Sequence, residues 1–219
     1  MKVLLFGATG MIGQGVLREC LLDPEVTQVV AILRRPSGQT HPKLKEVLHQ
    51  DYLDYTAIEG HLAGLDACCF CLGVTSAGLD EAAYQRITQD VTLAAASTLS
   101  RLNPQMVFSY VSGVGTDSTG QGRVMWARVK GRTENALLQV PFKAVYLFRP
   151  GIIQPLHGIT SRTRLYRVIY ALFAPLFPLL KRIAPDSFTT TEQLGRAMLR
   201  AALNGAPKAV LETADINRL

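Results

Sequence analysis

Hydrophobic residues fall along this chain in short runs separated by helical stretches, and the alternation predicts an α/β protein. Val3–Phe6 is an unbroken apolar run closed by Gly7, as expected of a parallel strand buried on both faces. Behind it Val16, Leu17, Cys20 and Leu21 recur at helical spacing until Asp23-Pro24 stops the element. Further strands are predicted at 29–33, 47–50, 65–72, 106–111 and 144–148. A long helix is expected from Leu79 to Leu102, another over the run MWARVKGRTENALL, and a closing one over 189–203 with Thr191 as its N-cap. Val210–Glu212 reads as a short final strand. The order implies a doubly wound Rossmann fold, a mostly parallel sheet with helices on both faces, in a single domain spanning residues 1–219.

The first turn carries the sharpest motif. Gly7, Gly10 and Gly13 recur at a spacing of three within GATGMIG, between the first strand and the first helix. In that context the glycines have separate duties: a tight turn at Gly7, close approach to a diphosphate at Gly10, and close packing of helix on strand at Gly13. The helix start offers unpaired N–H groups to phosphates, so Gly7, Ala8, Thr9, Gly10, Met11, Ile12 and Gly13 are candidate dinucleotide-binding residues. The second strand ends in Arg34-Arg35-Pro36 about twenty residues later, where an NAD protein usually has an acidic residue. Arginine there suits the extra phosphate of NADP, so NADP is expected over NAD. Asp51 and Tyr52, and Leu72 and Gly73, end the next two strands and are placed along the same crevice.

Charge and cysteine content narrow the picture. The net charge of +6, from 23 Lys and Arg against 17 Asp and Glu, sits in scattered pairs rather than on one continuous face. This suits anionic ligands or a membrane surface and argues against nucleic acid. Cys68, Cys69 and Cys71 crowd into one strand without metal-ligand spacing, so they are read as buried thiols of a cytoplasmic protein, with no metal site. The chain opens directly into its first strand, and no signal peptide is expected.

The motifs GATGMIG, RRP at Arg34–Pro36, VSGVGTD at Val111–Asp117, WARVKG at Trp126–Gly131 and FRPG at Phe148–Gly151 together resemble the atypical short-chain dehydrogenase/reductases of the NAD(P)-dependent, epimerase-like group. The resemblance covers most of residues 1–153. It implies a serine and a Tyr-x-x-x-Lys pair as the catalytic set, which fall on Ser112 and, for the lysine, Lys130; Lys130 would also hold the nicotinamide ribose. Pro150, Gly151 and Ile153 complete the cofactor side. The tyrosine position holds Trp126, whose indole N–H donates a hydrogen bond but has no accessible ionisation. Another acid or base would be needed, and Tyr84, His157 and Tyr166 are the candidates.

Residues 154–187 follow the last long strand and are expected on the substrate side, with Arg162 reaching the cofactor phosphate. Val168–Leu180 is a run of uncharged residues too short to span a bilayer and interrupted by Pro175 and Pro178. Residues 165–183 fit a lid over an apolar substrate, a contact with a second copy, or a peripheral membrane contact. Three functions therefore stand side by side: an NADP-dependent oxidoreductase or epimerase acting on an unidentified carbonyl or hydroxyl substrate, an NADPH-sensing regulator without turnover, and a membrane-surface module.

Overall fold

The structure is a computed structural model, and it describes residues 1–160, 182 and 184–219. Strands β1 (Lys2–Phe6), β2 (Gln28–Leu33), β3 (Leu44–Leu48), β4 (Ala67–Phe70), β5 (Val107–Val111), β6 (Ala144–Arg149) and β9 (Val210–Glu212) form one sheet in the order β3-β2-β1-β4-β5-β6-β9. Every neighbouring pair in it is parallel. Strands β7 (Ile152–Gln154) and β8 (Phe188–Thr190) pair in a small parallel sheet of their own. Among the described residues the helices include α1 (Met11–Leu22), α2 (Glu59–Leu62), α3 (Glu81–Gln85), α4 (Val91–Leu102), α5 (Met125–Leu137), α6 (Thr191–Asn204) and α7 (Thr213–Arg218). The expected doubly wound Rossmann fold is therefore observed.

Strand alternation explains the two cores. Along β1, Val3 and Leu5 point into a layer shared with α1 and α6, while Leu4 and Phe6 point into a layer shared with α4 and β5. All four are fully buried, and each such side chain contributes about 1.5–3 kcal/mol of hydrophobic stabilisation. Between β1 and β4 the order of strands reverses direction, leaving a crevice at their carboxyl ends.

Several element boundaries differ from the sequence-based expectation. The third strand runs over Leu44–Leu48 rather than 47–50, because as an edge strand it exposes Lys45 and Leu48 and lacks an unbroken apolar run. The single helix expected over 79–102 is α3 and α4 joined by a π-helical turn at Arg86–Asp90. Thr190 caps α6, its side chain accepting the Gln193 N–H. Thr191 instead takes the first helical position, and its hydroxyl oxygen accepts the Leu156 N–H at 3.1 Å. Helix α7, with a reciprocal capping box between Glu212 and Asp215, was not anticipated.

Candidate functional site: a glycine-walled cradle and the residues around Ser112

The cradle begins where β1 ends. Gly7 has φ +77, and a Cβ there would stand 2.6 Å from the Cys71 oxygen, so only glycine lets β1 turn beside the tip of β4. A Cβ on Gly13 would stand 2.0 Å from the Gly7 oxygen, which is how closely α1 leaves its strand. At Gly10 an added Cβ would meet the Gly7 oxygen at 3.3 Å, a tight contact but far less severe than those at Gly7 and Gly13. No side chain caps α1, so its first N–H groups and the positive end of the helix dipole follow the glycine turn without a side-chain partner.

Beside this turn lies a cavity of about 600 Å³ lined by residues from the tips of β1, β2 and β4 and the segment after β3. It brings together Gly7, Thr9, Arg34, Arg35, Tyr52 and Leu72 from the sequence-derived set. Gln50 and Ser37 line it as well and had no motif to reveal them. Gln50 Nε2 donates to the Arg34 carbonyl at 2.6 Å, and Ser37 bonds the Glu46 carboxylate. Among the described residues, the lining holds two guanidinium groups and no carboxylate.

Other members of that set lie elsewhere. Asp51 is absent from the lining; its carboxylate accepts the Leu53 N–H at 2.9 Å in a local turn. Ala8 is buried in the core, with Met11 and Ile12 packed against it. Gly73 has open space around it. Pro150 accepts the Val114 N–H through its carbonyl, Gly151 donates to the Thr213 hydroxyl at 2.8 Å, and Ile153 is a core residue, so these three hold the end of β6 in place. Arg162, Tyr166, residues 165–181 and Val168–Leu180 lie outside the described residues.

Ser112 directly follows β5, and Lys130 of α5 reaches the last residue of that strand. Lys130 Nζ donates to the Val111 carbonyl at 3.4 Å and sits 5.5 Å over the Tyr110 ring. The loop after Ser112 is pressed onto α5: the Asp117 N–H donates to the Ala127 carbonyl at 3.1 Å, and a Cβ on Gly131 would stand 1.7 Å from the Asp117 oxygen. Trp126, one turn before Lys130, places its ring edge 3.6 Å from the Cβ position of Gly115. Thr116 commits its single hydroxyl proton to the Gly113 carbonyl at 2.7 Å. The hydrogen in the 3.0 Å contact between Ser112 Oγ and Thr116 Oγ1 therefore comes from Ser112, which keeps its lone pairs free.

Burial pushes the Lys130 ammonium down to about 8, against an opposing pull from Glu134. The other proposed acids fare less well. Tyr84 is buried, and that burial raises its phenol. His157 has φ 56 and pairs with Glu192 at 2.6 Å beside a second cavity of about 390 Å³ on the far flank of α1, which shares no lining residue with the first. All four cysteines are free thiols; burial raises the pKa of each, which makes them poor nucleophiles. Among the described residues no cluster of side chains could hold a metal ion.

No family model matches the chain. It is 26% identical over 215 residues to the protein fmp52, mitochondrial, of Emericella nidulans, covering 93% of this chain and 89% of that one. It is 25% identical over 155 residues to protein HTATIP2 of Rattus norvegicus, covering 69% of this chain and 62% of that one. Its fold matches the crystal structure of the Bordetella bronchiseptica enzyme WbmF in complex with NAD+ with a TM-score of 0.65 at 16% identity, over 99% of this chain and 76% of that one. The chain thus resembles atypical short-chain dehydrogenase/reductases, as its motifs suggested. The cytoplasmic expectation is corrected: the fungal relatives are named mitochondrial. Among the described residues, no helix is long and apolar enough to cross a membrane.

Proposed function

We propose that this chain binds NADP(H) across the β1/β4 switch point and acts as an oxidoreductase or epimerase-like protein on a carbonyl or hydroxyl of a small molecule. The observation that carries the reading is the 600 Å³ cavity, which joins the glycine turn leading into α1, at Gly7 and Thr9, to two arginines and has no carboxylate among its described lining residues. A dinucleotide diphosphate fits the amides of α1, whose turn has no room for side chains at Gly7 and Gly13. Arg34 and Arg35 would take the 2′-phosphate, with Tyr52 and Leu72 flanking the adenosine half and Lys130 holding the nicotinamide ribose. The nicotinamide, when bound, supplies or accepts a hydride. Ser112 Oγ would orient the substrate oxygen, accepting from a hydroxyl with its free lone pairs or turning its hydrogen from Thr116 to a carbonyl, and residues 154–187 would form the substrate-side segment of a single domain. WbmF carries NAD+; the arginine pair is what favours the phosphorylated cofactor here.

Calorimetric titration tests this directly. NADPH should bind the purified protein more tightly than NADH, and Arg34→Ala with Arg35→Ala should weaken NADPH by about 10- to 100-fold while leaving NADH within a few-fold, as expected for lost charge-assisted hydrogen bonds. Equal losses for both would overturn the 2′-phosphate assignment, and no heat with either dinucleotide would overturn the reading as a whole.

Trp126 favours a second reading, an NADPH-binding regulator with little turnover, because an indole cannot exchange a proton as a phenol does. The two readings separate on Trp126→Tyr. An enzyme already served by another proton donor should change little across a panel of carbonyl substrates, whereas a silent cofactor binder should gain turnover that Ser112→Ala then removes.

A further inference from the structure

We propose that Arg149 is a positioning residue for Lys130: by gripping both oxygens of Glu134, it withholds that carboxylate from the ammonium one helical turn away. Lys130 and Glu134 stand four residues apart on α5, the spacing at which a lysine and a glutamate ordinarily pair. Here they do not form a salt bridge. Glu134 is 1% exposed, and its Oε1 accepts from Arg149 Nε at 3.0 Å while its Oε2 accepts from Arg149 Nη2. This fork-to-fork pair is the strong geometry for a guanidinium and a carboxylate. Arg149 is itself held from β6 by Ser118 at 2.6 Å and by Glu212 of β9 at 3.3 Å.

The groups around Lys130 are few. Tyr110 of β5 lies beneath the ammonium, and its phenol is raised by burial and by the proximity of Tyr84 and Glu134. Glu134 lies on the lysine's own helix, neutralised by Arg149 of β6, with Glu212 of β9 behind it. The Val111 carbonyl at 3.4 Å is a long contact for an ammonium. A desolvated cation whose natural counter-ion is taken by another residue loses its proton more readily. This arrangement puts an ionising group at the end of β5, on the carbonyl of the residue before Ser112, in a set of residues where Trp126 supplies none. The inference rests on the proposed function for its consequence, but the charge relation itself can be measured without cofactor.

The test uses the full chain with ¹³C-labelled lysine, following the Lys130 signal by NMR from pH 6 to 11 and assigning it by its loss in Lys130→Met. The wild-type midpoint should lie near the lowered value of about 8. Glu134→Gln removes the one anion that supports the ammonium and should lower the midpoint, whereas Arg149→Met frees Glu134 to pair and should raise it by about one pH unit or more. Arg149→Lys, which keeps the charge but loses the fork, should fall between wild type and Arg149→Met and serves if the methionine variant does not fold. Opposite shifts support the proposal; a merely structural role would not produce them. Shifts in the same direction, no shift, or a wild-type midpoint at the ordinary lysine value would overturn it. Absence of NADPH binding by the same preparations would instead remove the proposed function and leave this result standing.

Discussion

A methyl group added at Gly10 and one added at Gly13 should have quite different effects. At Gly13 it would meet the Gly7 carbonyl at 2.0 Å, so Gly13→Ala must push α1 off its strand and should destabilise the fold by about 3 kcal/mol. At Gly10 it would meet the same carbonyl at 3.3 Å, a tight contact that a shift of a few tenths of an ångström relieves, so Gly10→Ala should cost about 1 kcal/mol while adding a methyl where the proposed diphosphate would approach. Urea unfolding and NADPH titration on the two variants should separate them: Gly13→Ala fails in both, Gly10→Ala in binding alone. Lys130 belongs to the same scale. Because its folded pKa is depressed relative to the unfolded chain, Lys130 contributes stability that grows with pH between about pH 8 and 10.4, while the four buried thiols, whose pKa values are raised, act in the opposite direction over the same window. The Lys130 contribution is at most on the order of 3 kcal/mol, and it should be read as the change in the stability difference between wild type and Lys130→Met in urea melts at pH 7.5 and 10, in which the thiols cancel.

Among the elements, α6 shows how packing decides what a pattern can only suggest. Its N-cap is Thr190, and Thr190→Ala should cost about 1 kcal/mol by leaving the Gln193 N–H without its partner, whereas Thr191→Ala releases the Leu156 N–H of the neighbouring turn. Two adjacent threonines look alike in sequence, and only the angle at which β8 enters the helix tells them apart. Where α6 crosses α1, a Cβ on Gly195 would stand 3.0 Å from the Gly15 oxygen, and one on Gly15 would stand 2.6 Å from the Thr191 oxygen. Gly195→Leu should therefore lower the thermal midpoint by several degrees, a loss of about 2–3 kcal/mol. Strands β1, β2, β5 and β6 were legible to within a residue because they are buried on both faces and read as apolar runs. The edge strand β3 and the π turn at Arg86–Asp90 were not, since exposure breaks the first pattern and helical spacing conceals the second.

For the molecule as a whole, Gly7 and Thr9 of the glycine motif and Arg34-Arg35 pointed to the cavity because a strand tip and the turn that follows it are local properties of the sequence. Gln50 and Ser37 escaped because they reach the same space from an edge of the sheet. Glu134 and Arg149 escaped for a related reason: they are 15 residues apart and their pairing depends on β6 lying beside β5. Asp51 was assigned to the crevice by its place at a strand end, yet a turn of its own claims its carboxylate. The crossing of Gly15 and Gly195 has a consequence at long range. Helix α1 is wedged between the glycine turn at its amino end and α6 along its flank, with no side chain at either glycine to cushion the contact. A ligand that steadies that amino end should therefore slow amide hydrogen exchange in residues 191–204, far from anything the ligand touches, and a bulky residue at position 195 should uncouple the two.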